Sequence, residues 1–311
     1  MNYNDLSTYL KSKYGRKLYK IALAAGRTCP NRDGLCGSRG CIFCSGSGSG
    51  DFASDRLKSI GEQLKEAKER VRRKLPQGEI GYIAYFQAFT NTYGTVEELE
   101  PMFMEAIRDP EVWILSIATR PDCLPPDILD MLERINQRKP VWVELGLQTI
   151  HPQTAAYIRR GYELPVYEQA VKELKQRGLE VITHVILGLP GESTADMVQT
   201  VEYVGRTGAD GVKLQLLHVL EGTDLAEEYR AGRVEPLELD AYIDILEQCV
   251  RHLPERIVIH RLTGDGDKRI LLAPLWSGNK RMVMNTIHRE FTKRNVIQGS
   301  ACMTDKDTVD R

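Results

Sequence analysis

The sequence has no long apolar run and almost no net charge. No stretch of about 18 apolar residues occurs in the 311-residue chain, so no membrane-spanning helix is predicted. The first residues, MNYNDLSTYLKSKYGRK, contain no apolar core of the kind that a secretory signal needs. Lysine and arginine total 42 and aspartate and glutamate 43, so the formal net charge of −1 favours neither nucleic acid nor an anionic membrane as a partner. These absences predict a soluble, cytoplasmic protein.

The sequence also lacks internal repeats, and no glycine-rich phosphate-binding fingerprint follows the first predicted strand, residues 18–25. That absence disfavours a doubly wound nucleotide-binding sheet. The seven cysteines are an odd number and unevenly spread, because four of them lie between residues 29 and 44. An odd and crowded set in a reducing compartment is more often a metal site than a disulfide framework, so a metal centre is predicted there.

Short apolar runs alternate with amphipathic helical patterns along most of the chain. The runs are apolar throughout, as expected of strands that are buried on both faces. Each strand-plus-helix unit has the length of a right-handed βαβ crossover, which predicts a parallel sheet, closed like a TIM barrel or partly open. The predicted strands are residues 18–25, 80–86, 112–118, 141–147, 181–187, 212–219 and 256–260. The predicted helices include residues 57–75, 96–108, 126–137, 165–177, 195–207 and 237–252.

The cysteine-rich segment reads CPNRDGLCGSRGCIFC over residues 29–44. The pair Cys41-x2-Cys44 fits adjacent corners of one iron–sulfur cube, and Cys29, with eleven residues between it and Cys41, closes the site from the amino-terminal side. Three thiolates would hold three irons of a [4Fe–4S] cluster and leave the fourth iron open to another ligand. All four cysteines would alternatively satisfy one structural Zn²⁺ ion.

The spacing Cys29-x11-Cys41-x2-Cys44, with Phe43 before the last cysteine, resembles that of radical S-adenosylmethionine (SAM) proteins of the Elongator-catalytic-subunit-like branch. More narrowly, CPNRDG and GCIFC are similar to the YhcC/YtqA subgroup of that branch. Five later segments resemble it in the same order, so the likeness covers nearly the whole chain. They are YFQAFTNTYG (85–94), SIATRPDCL (116–124), ELGLQT (144–149), HVILGLPGE (184–192) and KLQLLHVLEGT (213–223).

The resemblance implies an α/β fold with a radical SAM core, a parallel (β/α)6-type partial TIM barrel over residues 17–260. Short helical additions are expected at residues 1–16 and 261–311. It also implies a [4Fe–4S] cluster on Cys29, Cys41 and Cys44 and disfavours zinc. Because Cys36 does not fit the ligand spacing of the family, it is interpreted as a spare thiol, with a regulatory or transient ligand as the alternative.

The resemblance places the SAM site at the carboxyl ends of the strands, where the barrel loops converge. Glu144 interrupts an apolar strand, so it is expected to contact SAM, with a structural ion pair as the alternative. His184 is expected to reach the adenine, with a buried core histidine whose hydrogen bonds are made within the protein as the alternative. Arg120 is expected to bind a carboxylate, with a surface salt bridge as the alternative. A helix-capping cluster is the alternative for residues 87–91. The residues expected to bind SAM are Phe43, Gln87, Thr90, Asn91, Ser116, Arg120, Glu144, Gln148, His184, Gly188 and Lys213.

The activity that the resemblance implies is reductive cleavage of SAM to a 5′-deoxyadenosyl radical, which abstracts hydrogen from the substrate. No second cluster motif and no flavin site is found, so an external reductant such as flavodoxin or ferredoxin is expected. The Elongator likeness suggests a tRNA wobble uridine as substrate, although about 50 residues after His260 are too few for an acetyltransferase domain. Basic residues at 65–74 and at Lys280, Arg281, Arg289, Lys293 and Arg294 would contact RNA, or else are solvated helix faces. A small-metabolite or peptide substrate and a non-catalytic zinc-binding protein are the alternatives.

Overall fold

The computed structural model describes residues 2–48, 53–73, 80–264 and 266–302. Strands and helices alternate through these residues as the sequence predicts. The strands are β1 (Leu18–Leu23), β2 (Gly81–Phe86), β3 (Val112–Thr119), β4 (Val141–Gln148), β5 (Glu180–Leu187), β6 (Gly211–Leu216), β7 (Val219–Leu220), β8 (Val258–Arg261) and β9 (Leu271–Ala273). The α-helices are α1 (Leu6–Tyr14), α2 (Ile60–Arg72), α3 (Val96–Arg108), α4 (Pro126–Asn136), α5 (Pro152–Tyr157), α6 (Leu164–Gln176), α7 (Thr194–Arg206), α8 (Asp224–Arg230), α9 (Leu239–Arg251) and α10 (Lys280–Lys293).

Seven strands form one parallel sheet in the order β1-β2-β3-β4-β5-β6-β8, curled into a half-barrel with helices packed on it. The order in space follows the order in the chain, because each helical connection returns the chain beside the strand that it has just left. The predicted parallel (β/α)6-type partial TIM barrel is confirmed.

The predicted sixth strand, residues 212–219, extends too far. Strand β6 ends at Leu216, and the chain then leaves the sheet to form β7, which pairs antiparallel with β9. The apolar run continues beyond the strand because Val219 is buried in a separate cluster with Leu225 and Val234. Hydrophobicity therefore does not mark the point where this strand leaves the sheet.

The inner face of the sheet carries an apolar layer near the amino ends of the strands and a polar layer above it. Leu18, Ile83, Ile114, Trp142 and Ile182 pack together in the apolar layer, beneath Leu10 of α1. The residues two places further along four of these strands are Lys20, Ser116, Glu144 and His184. They lie on the same face, because side chains in a strand alternate between the two faces. These four side chains form a polar layer inside the barrel on the side where the strands end, and this layer is called the polar floor below.

The terminal helices pack against the barrel. Leu10 of α1 closes the apolar layer, and Val283, Ile287 and Phe291 of α10 join the main hydrophobic core. The division of the chain at residues 16 and 260 stays a prediction, and β8 runs across the second of these boundaries. Within the described ranges, no helix has the length and apolar character needed to cross a membrane.

Candidate active site

A cavity of about 250 Å³ lies at the carboxyl ends of the barrel strands, between the cysteine loop (residues 29–44) and the polar floor. Cys29, Cys41 and Cys44 all line it. The residues predicted to bind SAM that also line it are Phe43, Gln87, Thr90, Arg120, Glu144, Gln148, His184 and Lys213. The fold therefore brings the cysteines together with side chains from β4, β5 and β6, which lie about a hundred residues or more away in the chain.

Three residues predicted to bind SAM do not line this cavity. The Asn91 amide donates to the carbonyls of Phe86 at 3.1 Å and Ala118 at 2.8 Å, and so ties the end of β2 to the end of β3. Ser116 is fully buried and donates to Glu144 at 2.6 Å. Gly188 forms a turn with φ of +86°, and its N–H lies 3.1 Å from the Met197 sulfur. In the structure these residues support the walls of the site, and a direct contact with SAM stays a prediction.

The cysteine loop is held by hydrogen bonds within itself and to the turn after α5. The Arg32 N–H donates to the Cys29 carbonyl at 2.7 Å, and the Cys44 N–H to the Cys41 carbonyl at 3.0 Å. The Cys41 thiol lies 3.6 Å from the carbonyl of Arg159 and accepts from the Asn31 amide at 3.4 Å. The loop thus fixes two of the predicted ligands on one short turn and anchors Cys41 to the barrel.

The three thiols suit an iron–sulfur cluster by their chemistry and their shared cavity. Soft thiolate sulfur is the ligand that such clusters require. Burial raises the pKa of Cys41 to about 11, and the neighbouring Cys44 and Cys29 add to this rise, so without metal Cys41 is a protonated thiol at neutral pH. Among the described residues, no three His, Cys, Asp or Glu side chains form a group that could hold a single metal ion.

Cys36 lies apart from the other cysteines of the loop. It is exposed, and with Cys123 it lines a second cavity of about 800 Å³, which the other three cysteines of the loop do not line. Its interpretation as a spare thiol agrees with this position and stays a prediction.

Glu144 is the centre of the polar floor. Its carboxylate is fully buried and accepts hydrogen bonds from Lys20 at 2.6 Å, from Ser116 at 2.6 Å, from the His184 ring at 2.7 Å and from Lys213. Lys213 also donates to the Tyr85 hydroxyl at 3.2 Å. The structural ion pair named as the alternative for Glu144 is therefore present, and a contact with SAM would come in addition to it.

The charges in the floor follow from burial and from these contacts. Burial by itself would raise the pKa of Glu144, but Lys20, Lys213 and His184 hold this pKa well below its usual range. Burial lowers the pKa of His184 to about 4, and the Lys213 ammonium acts in the same direction. At neutral pH Glu144 is ionised and His184 is neutral, so the imidazole N–H donates to the carboxylate.

Two arginines stand beside the cysteines in the cavity wall. Arg120 forms a two-pronged salt bridge with Asp122 at 2.6 and 2.9 Å and donates to the Arg160 carbonyl at 2.8 Å. Arg160 is 3 % exposed, and its guanidinium donates to the carbonyls of Leu147 at 3.2 Å and Thr149 at 2.6 Å. Both residues line the cavity, and the charge of Arg120 is already paired with Asp122, so Arg160 is the one of the two that would attract an anionic group.

Several cavity and floor residues were missed from the sequence. Lys20 lies in a strand-like run, as Glu144 does, and a charge inside an apolar strand was the signal that could have found it. Tyr85 and Arg160 gave no such signal, since a tyrosine is common in strands and Arg160 follows a short helix. Lys20 and Tyr85 lie on the same face of the neighbouring strands β1 and β2, and this pairing brings the Lys20 ammonium to 4.5 Å from the centre of the Tyr85 ring.

The chain matches two family models. Residues 27–204 match the radical SAM superfamily, and residues 209–293 match the radical SAM C-terminal domain. It is 41 % identical over 297 residues to the uncharacterized protein YtqA of Bacillus subtilis, covering 96 % of this chain and 92 % of that protein. It is 40 % identical over 293 residues to the protein YhcC of Escherichia coli K12, covering 94 % and 93 %.

More distant matches fall in the Elongator-like branch. The chain is 31 % identical over 155 residues to the tRNA uridine(34) acetyltransferase of Methanocaldococcus jannaschii, which covers 49 % of this chain and 28 % of that protein. The structure of the archaeal Methanocaldococcus infernus Elp3 shares the fold, with a TM-score of 0.66 at 18 % identity over 90 % of this chain and 64 % of the other. The chain therefore belongs to the radical SAM superfamily, in its Elongator-like branch, and is an enzyme whose cofactors are a [4Fe–4S] cluster and SAM.

Proposed function

We propose that this radical SAM enzyme modifies the substituent at carbon 5 of a tRNA wobble uridine. The observation that carries the proposal is the match to a tRNA uridine(34) acetyltransferase over 155 residues. The match covers 49 % of this chain and 28 % of the acetyltransferase, so the likeness extends over only part of that protein.

In this proposal Cys29, Cys41 and Cys44 hold the cluster, and the cavity beside them receives SAM. The bound cofactors supply reductive cleavage of SAM and abstraction of hydrogen from an unactivated carbon, with one electron from an external donor such as flavodoxin or ferredoxin. Arg160 presents positive charge to a carboxylate in the cavity, whereas the charge of Arg120 is paired with Asp122. The polar floor closes the cavity from below, so that the target carbon is held away from bulk water.

The reaction is a trimming or a rearrangement of a group that the uridine already carries. A methylene beside an amine is a good hydrogen donor, since the nitrogen stabilises the carbon radical that is left behind. No second cysteine cluster, of the kind that would donate sulfur, occurs in the sequence. This makes sulfur insertion the less favoured reaction.

The ligand assignment has a direct test. Cys29→Ala, Cys41→Ala and Cys44→Ala should each abolish the cluster and SAM cleavage together, because three thiolates are the minimum anchor. Cys36→Ala is the matched control in the same loop and should keep both. Iron content and absorbance near 400 nm after anaerobic purification measure the cluster. Loss of the cluster in Cys36→Ala with retention in Cys29→Ala would show that the assignment is wrong.

The substrate is tested by mass spectrometry of nucleosides from the tRNA of a strain that lacks the gene. We expect one wobble-uridine nucleoside to accumulate in its unprocessed form. Complementation with the wild-type gene should restore the product, and complementation with Cys41→Ala should not. If the tRNA nucleosides are unaltered in the deletion strain, a small metabolite or a peptide becomes the favoured substrate.

A further inference from the structure

Asn31 is a buried side chain in contact with a proposed cluster ligand. It follows Cys29 and Pro30 in the loop and is 3 % exposed. Its amide nitrogen lies 3.4 Å from the Cys41 sulfur, 2.7 Å from the Arg159 carbonyl and 3.2 Å from the Arg160 carbonyl. An amide nitrogen has two hydrogens, so one binds the nearer carbonyl and the other points between Arg160 and the sulfur.

The orientation of this amide is fixed by its surroundings. Exchange of its nitrogen and oxygen would place an oxygen against two carbonyl oxygens, which repel it. The Asn31 carbonyl accepts from the Gly40 N–H at 2.7 Å, so the backbone is held too. On the other side is Gly161, where an added Cβ would lie 2.5 Å from the side-chain oxygen of Asn31. Donor geometry toward Cys41 is therefore built into the fold.

A hydrogen bond to a ligand sulfur acts on the charge of the cluster. Reduction by one electron makes the cluster more negative, and a donor pointed at the sulfur stabilises that added charge. No atom is transferred in this step: the external donor loses one electron and the cluster gains it. A donor at the position of Asn31 would therefore make the reduced form easier to reach.

We propose that Asn31 is a positioning residue that raises the reduction potential of the cluster through its N–H···S contact with Cys41. The inference rests on the proposed assignment of Cys41 as a ligand. It goes beyond the assignment, because Asn31 is neither a ligand nor a SAM contact. The nearby Arg32 differs from it, since its guanidinium donates to the carbonyls of Cys44 at 2.8 Å and Ser45 at 2.6 Å rather than to a sulfur.

The test measures the midpoint potential of the anaerobically prepared holoenzyme by a redox titration followed by electron paramagnetic resonance. Asn31→Ala removes the donor, so its potential should be more negative than that of the wild type. Asn31→Asp keeps the shape but replaces the N–H by a carboxylate, so its potential should be more negative still. A residue that only fills space would give the opposite order, with the shape-conserving variant nearer to the wild type.

The matched control is Asn136→Ala. Asn136 also ties backbone segments together, because its amide donates to the Gly178 carbonyl at 3.2 Å and its side-chain oxygen accepts from the Val141 N–H at 2.8 Å. The midpoint potential of the cluster in Asn136→Ala should equal that in the wild type. Both Asn31 variants should cleave SAM more slowly than the wild type when a protein supplies the electron. A chemical reductant of lower potential, such as Ti(III) citrate, should restore the rate.

Unchanged potentials in cluster-loaded Asn31 variants would overturn the inference and leave the proposed function intact. Loss of the cluster from both variants would also overturn it and give Asn31 a structural role. A wild-type protein without any cluster signal, or with a full cluster in Cys41→Ala, would instead refute the ligand assignment of the proposed function.

Discussion

At the scale of single residues, Glu144 has a structural role that its contacts show, and its contact with SAM stays a prediction. A carboxylate buried under a cavity is stable only with charged partners, and Glu144 has Lys20 and Lys213 on either side with His184 as a third donor. Removal of its charge leaves the Lys20 ammonium and the buried Lys213 side chain without the carboxylate that pairs with both. The floor of the cavity therefore depends on this one side chain.

Glu144→Gln should lower the free energy of unfolding by about 3 to 5 kcal/mol, which is the usual cost of removing one partner of a buried ion pair. Chemical denaturation of the metal-free protein measures it. Glu180→Gln is the control, because Glu180 pairs with the half-exposed Lys13 and should cost only about 0 to 1 kcal/mol. Equal effects of the two substitutions would contradict a buried, functional charge network.

The same variant tests whether Glu144 also contacts SAM. Loss of a charge-assisted hydrogen bond of about 1.5 to 3 kcal/mol should weaken SAM binding by roughly tenfold to a hundredfold. Isothermal titration on cluster-loaded protein measures the affinity, with Glu180→Gln again as the control. An unchanged affinity in a folded, cluster-loaded variant would limit Glu144 to the ion-pair network.

His184 makes the stability of the protein depend on pH. Its pKa is about 4 in the folded protein and 6.5 when unperturbed, so the unfolded chain binds the proton more readily. Its contribution is fully present above pH 6.5 and is lost as pH falls toward 4, a change of about 3 kcal/mol at 1.4 kcal/mol per unit. Denaturation midpoints between pH 4 and 7 measure the loss, and His184→Gln should flatten this part of the profile. A His184→Gln profile as steep as that of the wild type would assign the pH dependence to other groups.

At the scale of elements, the turn between α5 and α6 joins the cysteine loop to the barrel. Its carbonyls at Arg159 and Arg160 accept from Asn31, and the Arg160 carbonyl also accepts from Arg120. The Ile42 N–H donates to the Ile158 carbonyl at 3.3 Å. A short connection that the sequence presents as an ordinary turn therefore sets the position of Cys41.

Gly161→Ala should disturb the cluster, whereas Gly178→Ala should not. Both glycines have positive φ, +83° and +70°, so alanine costs about 1 to 2 kcal/mol of backbone strain at either position. Only at Gly161 would the added Cβ also collide with Asn31, while at Gly178 nothing lies within 4 Å. Iron content after anaerobic purification should fall in Gly161→Ala alone. Equal iron content in the two variants would show that this turn does not position the loop.

At the scale of the whole molecule, a net charge of −1 means that RNA binding must come from local patches. The predicted patch on and after α10 is partly neutralised, because Arg294 pairs with Asp244 and Glu247 and Arg289 pairs with Glu290. The other predicted patch, residues 65–74, is described up to Arg73, and Lys68 and Arg72 in it pair with Glu111. Residue 74 lies outside the described ranges.

If the substrate is tRNA, its binding should weaken steeply with salt, with a slope of about −0.7 to −0.9 per phosphate contact. Filter binding at several salt concentrations measures the slope. The triple variant Lys280→Glu, Arg281→Glu, Lys293→Glu should weaken binding and reduce the slope. Lys172→Glu, an exposed position on α6, is the control. Binding that does not respond to salt would count against tRNA.

The sequence alone determined the chemistry and the class of fold. The spacing of Cys29, Cys41 and Cys44 is a local property, and so is the alternation of apolar runs with helical patterns, because both depend on near neighbours along the chain. The alternation was enough for the parallel half-barrel, which the structure confirms. The cysteines alone left a zinc site open, and the cluster and SAM followed from the resemblance of the five later segments to the radical SAM family; the comparisons confirm both cofactors. Helix α3 begins and ends at the residues that its periodicity predicts, Val96 and Arg108.

The tertiary structure decided which side chains meet. Strand periodicity shows which face a residue occupies but not its partner across the barrel, since that depends on the curvature of the sheet. Lys20 reaches Glu144 across 124 positions of sequence, and Asn31 reaches Arg159 across 128. For the same reason Asn91 and Gly188, which stand at strand ends as predicted, tie or turn the backbone instead of lining the cavity. Long-range contact of this kind leaves no local pattern in a single sequence.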